Sequence, residues 1–111
     1  MAITEEMYAG KSVAIDFKPE GNGTFELTFM SDENHYVGTP NTITVNGESV
    51  TSTFGTVTKG ADGWYTLAVA DAQLNDGQRT SYSSTVACIY LYRDVAPTCN
   101  FYVDYASLRA I

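Results

Sequence analysis

Two segments near the start of the chain alternate with a period of two. Val13, Ile15 and Phe17 are separated by Ser12, Ala14, Asp16 and Lys18, and Phe25, Leu27 and Phe29 alternate with Thr24, Glu26, Thr28 and Met30. Such alternation marks half-buried antiparallel strands, with one face on a core and the other turned away from it. It therefore turns Glu26 and Thr28 away from the core. Pro19, Gly21, Asn22 and Gly23 between the segments predict a turn. Residues 31–41 are polar, with Gly38 and Pro40, and read as a loop. Residues 42–45 lead into Asn46-Gly47, where a type I′ hairpin turn is expected because both residues tolerate positive φ. Residues 50–57 read as one Thr-rich strand, residues 59–63 as a turn and residues 64–70 as a strand. A polar stretch over 71–84, with at most one helical turn at 71–75, precedes strands over 85–92 and 99–108. Seven or eight short strands and no convincing helix predict an all-β chain folded as an antiparallel β-sandwich.

With 111 residues and 44% hydrophobic content, residues 1–111 are expected to form one domain with a modest core. The net charge of −7 argues against a nucleic-acid partner, since no basic stripe is available to neutralise phosphates. No apolar run approaches the roughly 20 residues that cross a bilayer, so no membrane partner is expected. The first residues lack the basic and apolar regions of a signal peptide, which suits a module carried within a longer protein. Eight tyrosines and many Ser and Thr fit exposed strands of an extracellular sheet protein. Cys88 and Cys99 leave two readings open, one disulfide or a pair of free thiols.

Catalytic patterns are weak. His35, the one histidine, sits in a polar loop with no nucleophile elbow elsewhere, and reads as a surface residue. One His and two Cys at unrelated spacing make no zinc set. Most of the 13 acids fall in turns, and only Asp16, Glu26 and Asp104 lie inside strands. A glycosidase-like carboxylate pair is therefore not expected, and neither is an enzyme.

Aromatic residues are more informative. Sugar rings offer apolar C–H faces and polar rims, so a sugar site needs aromatic platforms flanked by hydrogen-bonding groups. If Ile89 and Leu91 face the core, Tyr90 and Tyr92 share the opposite face roughly 7 Å apart along the strand. Arg93 ends that strand, and Tyr36 is a candidate edge contact. Trp64 is either a second outward platform or partly buried at a strand start.

The ending Phe101-Tyr102-Val103-Asp104-Tyr105-Ala106-Ser107-Leu108, preceded by Gly63-Trp64-Tyr65-Thr66-Leu67-Ala68-Val69, resembles the closing strands of jelly-roll carbohydrate-binding modules of plant cell-wall-degrading enzymes. The likeness covers roughly the last half of the chain. It implies a jelly-roll sandwich in which the strand bearing Tyr90 and Tyr92 shares a sheet with residues 24–30, beside Glu26 and Thr28. It also implies a structural Ca²⁺ held by the first and last strands, with Asp104 as a ligand. The second aspartate common after that position is replaced here by Tyr105, which weakens this implication, and no other cofactor is expected.

The resulting expectation is a non-catalytic, monomeric module of a secreted multimodular protein, with polysaccharide as partner. Neutral β-glucan or xyloglucan is slightly favoured over pectin, for which Lys18, Lys59, Arg79 and Arg93 are the available cations. The alternative is a structural or protein-interaction spacer.

Overall fold

The computed structural model describes residues 12–32, 35–36, 41–70, 88–91 and 94–111, and all regular structure among them is β-strand. The first alternating segment forms β1 (Ser12–Glu20). The second forms β2 (Gly23–Glu26) and β3 (Thr28–Asp32), which continue one another across Leu27. After them come β4 (His35–Tyr36), β5 (Thr42–Asn46), β6 (Ser49–Ser52), β7 (Thr56–Lys59), β8 (Tyr65–Ala70), β9 (Cys88–Tyr90) and β10 (Asn100–Ala110).

One layer is the antiparallel sheet β10-β1-β8-β7, with the first and last strands side by side. The other layer is built along β2 and β3, as the groups β2-β5-β6 and β4-β3-β9. Leu27 N donates to Asn41 O at 3.1 Å, which carries the β2–β5 ladder onward toward β3. On the edge of β2 that β5 leaves open, Thr98 N donates to Thr24 O at 2.8 Å. Val13, Ile15, Phe17, Leu67 and Val69 from the first layer meet Phe25, Leu27, Phe29, Ile43 and Val45 from the second. Phe17 meets Phe25 edge-on at 5.8 Å, and Phe25 stacks on Phe101 at 4.0 Å. The expected all-β sandwich is what the chain forms.

Several local expectations are corrected. Asn46 pairs with Ser49, so the hairpin turns at Gly47-Glu48, and Gly47 alone takes positive φ (64°). That is the type II′ pattern rather than type I′ at Asn46-Gly47. The two-positive-φ turn lies at Asp62 (57°) and Gly63 (83°), closed by Trp64 N donating to Ala61 O at 3.1 Å. Pro19, expected in a turn, extends β1 opposite Phe101, beyond the end of the β1–β8 ladder at Tyr65. One edge of β1 is open there, where a residue without N–H is tolerated.

The run 50–57 is two strands in different layers, not one. The chain turns the corner between β6 and β7 at Gly55, whose φ is 86°. A Cβ at that position would stand 2.6 Å from Ala68 O. Only a residue without a side chain lets the corner lie so close to β8.

The motif of the last strand builds a wide bulge. Asp16 is opposite Asp104 and Ala14 opposite Arg109, so Ile15 alone faces residues 105–108. Ala106 N donates to Asp104 Oδ1 at 3.1 Å, and Ser107 Oγ donates to Asp104 O at 2.6 Å. Ser107 Oγ in turn accepts from Asp16 N at 2.8 Å, replacing the ladder bond that the bulge removes. Arg109 bridges Ser107 O at 2.8 Å and Asp16 Oδ1 at 3.2 Å. Bulges of this kind twist an edge strand and blunt it against pairing with another chain.

Candidate functional site

β9 pairs with β3, and Tyr90 stands directly opposite Thr28, so the expected sharing of a sheet holds. Ile89 is buried and Leu91 packs against the core, also as expected. The side chains of Tyr90 and Tyr36, and all of Tyr92, Arg93 and Arg79, lie outside the described residues.

Glu26 and Thr28 do not face solvent, contrary to expectation. Both are fully buried. The segment after β9 folds over them, with Asp94 N and Val95 N donating to Glu26 Oε1 at 2.8 and 3.1 Å. Thr28 Oγ1 donates to Glu26 Oε2 at 2.5 Å and accepts from Asn41 N at 3.0 Å. Asn41 Oδ1 accepts from Phe54 N at 2.8 Å, which completes a buried polar network tying three loops to β2 and β3. A buried carboxylate is tolerable only when its oxygens accept hydrogen bonds, and these do. Alternation predicted the face correctly but not the loop that covers it.

Asp104 stands opposite Asp16, on the last and first strands as a calcium site would need. Asp16 Oδ1, however, already accepts from Thr66 Oγ1 at 2.7 Å and pairs with Arg109 at 3.2 Å. Among the described residues no group of three or more His, Cys, Asp or Glu is placed to hold a metal. Cys99 carries a free thiol, so the disulfide reading falls, and burial pushes its pKa up.

The exposed aromatic surface lies on the first layer. Phe101 and Val103 pack on the core, so Tyr102 and Asp104 between them point outward, and Tyr102 is 55% exposed. Tyr65 stacks on Phe17 at 5.8 Å, so alternation turns Trp64 to the same outer face, where it is half-buried. Lys18 lies opposite Tyr102 on β1. Tyr102 and Lys18 are cross-strand neighbours, and alternation puts Trp64, just before β8, at the next place in the same row. With neighbouring strands about 4.7–4.9 Å apart, the two aromatic positions are roughly 10 Å apart. The next row is Asp104, Asp16, Thr66 and Thr58, and the row on the other side is Asn100 and Glu20. The Lys18 stem passes 3.3 Å from where a Cβ on Gly63 would sit, so it leans toward the Trp64 end.

Beyond Tyr102 the face opens into a trough at the end of the sandwich. Two adjoining depressions of about 310 and 480 Å³ share Glu20, Pro97, Cys99 and Asn100. Phe101 and Tyr102 wall the first, and Asn22 and Thr98 the second. Alternation around Phe101 and Val103 was the signal that would have marked Tyr102 as a site residue. Glu20 and Asn100 had none, because they looked like turn residues.

Tyr102 is hydrogen-bonded to Glu20, and this bond and the nearby carboxylate charge raise the phenol pKa. Glu20→Gln removes the negative charge, so the Tyr102 pKa is expected to fall toward the ordinary tyrosine value. A ¹³Cζ-tyrosine NMR titration measures it, and an unmoved Tyr102 resonance would break the pairing.

No protein-family model, curated protein or solved structure matches this chain.

Proposed function

We propose that this domain is a non-catalytic polysaccharide-binding module of a secreted multimodular protein. The observation that carries the reading is the outer row Tyr102, Lys18 and Trp64, with two aromatic side chains on one sheet face and hydrogen-bonding groups on both sides. Flat aromatic surface rimmed by hydroxyls, carboxylates and amides suits sugar rings, whose C–H faces stack while their hydroxyls pair with the rim. Two platforms a few residues' width apart meet different units of one extended chain. The resemblance of the closing strands to carbohydrate-binding modules of plant-wall-degrading enzymes points the same way.

The ligand is a neutral β-glucan or xyloglucan. Among the described residues of this face Lys18 and Arg109 are the cations, and Arg109 is already paired with Asp16. A polyuronate would also meet a chain of net charge −7. Salt screens that field beyond about 8–10 Å, so the distinction rests on local groups.

Native affinity electrophoresis of the domain in gels containing xyloglucan, mixed-linkage β-glucan or pectate tests the reading. Retardation by at least one neutral glucan is expected. Retardation by pectate alone, weakening steeply with added salt, would replace the neutral ligand with a pectic one. No retardation in any gel would leave the domain as a structural or protein-interaction spacer.

A further inference from the structure

The trough at the end of the sandwich has a different character from the flat row beside it. Its lining brings together one aromatic wall, one charged group and several uncharged polar groups. Among the described residues, Glu20 is the single charged side chain lining either depression. The volumes, about 310 and 480 Å³, are those of small-molecule sites, which run from roughly 300 to 1,000 Å³. Two of the polar groups are already committed to the fold. Thr98 Oγ1 accepts from Thr24 N at 2.8 Å, and Asn22 Oδ1 accepts from Gly47 N at 2.8 Å. They hold the rim in place. Glu20 and Asn100, cross-strand partners at the exposed end of β1 and β10, are the groups presented to a ligand.

Resting on the reading above, we propose that this trough is a subsite for one neutral sugar unit at the end of the bound stretch. Tyr102 is its platform, Glu20 its acceptor for a pair of adjacent hydroxyls, and Asn100 its second polar contact. The chemistry follows from the inventory. An ionised carboxylate accepts only, and its two oxygens can take two hydroxyl donors from neighbouring ring carbons. Hydrogen bonds from hydroxyls to a charged acceptor are about twice as strong as neutral ones. Asn100 supplies both a donor and an acceptor for a third hydroxyl. Tyr102 and Glu20 are diagonal neighbours across β10 and β1, so platform and acceptor stand side by side before a ligand arrives. The same carboxylate repels a uronate. The cation of the row, Lys18, leans toward Gly63. The subsite thereby selects neutral units over acidic ones.

Amide chemical-shift mapping of the whole domain with cellohexaose, xyloglucan heptasaccharide and trigalacturonate tests this. The neutral oligosaccharides are expected to move the amides of Glu20, Asn100 and Tyr102, and trigalacturonate to leave them in place. Tyr102→Ala and Glu20→Gln should each weaken neutral-glycan binding by about tenfold or more, with thermal midpoints close to that of the parent because both side chains are exposed. Neutral glycan that binds while the trough amides stay unmoved would overturn the subsite and leave the general reading standing. Trigalacturonate occupying the trough would overturn its selectivity and with it the role of Glu20. Failure of every glycan in the gels is the separate result that removes both.

Discussion

Glu26→Ala is expected to destabilise the domain by about 3–5 kcal/mol, a large part of the 5–15 kcal/mol typical of small domains. The side chain is fully buried and accepts from Asp94 N, Val95 N and Thr28 Oγ1. Each buried donor left without a partner costs roughly 1–3 kcal/mol, and an unfilled cavity adds to it. Asp94 is an exposed residue, so its N–H can turn to solvent once the carboxylate is gone, which keeps the sum below the maximum. Glu26→Gln keeps one carbonyl oxygen for the two backbone donors and disturbs the Thr28 contact. Its cost should be about 1–2 kcal/mol. Urea unfolding of the three proteins measures the series. Near-equal stability of Glu26→Ala and the parent would mean that the segment after β9 is not anchored by this carboxylate. Glycan binding should survive in Glu26→Gln, because the residue does not reach the outer face of β10, β1 and β8.

The second large effect is expected at the corner between the layers. In Gly55→Ala the new Cβ must take φ near 86° and stand 2.6 Å from Ala68 O, a backbone atom of the β7–β8 ladder. The left-handed conformation alone costs a non-glycine residue about 1–2 kcal/mol. Relieving the contact means shifting β8 against β1, comparable to an overpacked core at roughly 1–3 kcal/mol. The total of about 2–5 kcal/mol corresponds to a fall in melting temperature of at least about 10 °C for a domain of this size. Gly21→Ala is the control. Its φ is also positive, at 89°, but nothing lies within 4 Å of the added carbon. It should show only the conformational part. Equal losses at the two positions in differential scanning calorimetry would show that backbone conformation, and not the close approach to Ala68, makes Gly55 necessary.

Much of the strand inventory was legible because burial on one face imposes a period of two. Val13, Ile15 and Phe17, then Phe25, Leu27 and Phe29, reach the core as their alternation predicts. Ile89 and Leu91 do so as well. The hairpin after β5 was located to within a residue but misassigned in type, and the turn at 59–63 lies where it was expected. Asn-Gly and Asp-Gly have similar propensities, and the choice between them rests on which residues the strand register leaves over. Glu26 and Thr28 show the limit most clearly. Alternation places them off the core face, and a residue off the core face reads as exposed. Their burial depends on a chain segment nearly seventy positions away in sequence.

The order of residues is enough to make this chain an all-β sandwich, to set where most of its strands lie and to choose which aliphatic and aromatic side chains fill its core. Those are local properties, set by the spacing of apolar residues and by turn formers. Tertiary structure alone decided which strands are neighbours, that the run 50–57 divides between two layers at Gly55, and that the closing motif around Asp104 and Ser107 is spent on a bulge. It also decided which aromatics share a surface. Tyr102 and Trp64 are 38 positions apart, and they meet on one row only because β10 and β8 both pair with β1. Strand pairing brings distant segments together through backbone hydrogen bonds, which are the same for every residue type. The side-chain pattern that marks a strand therefore carries little record of its partner.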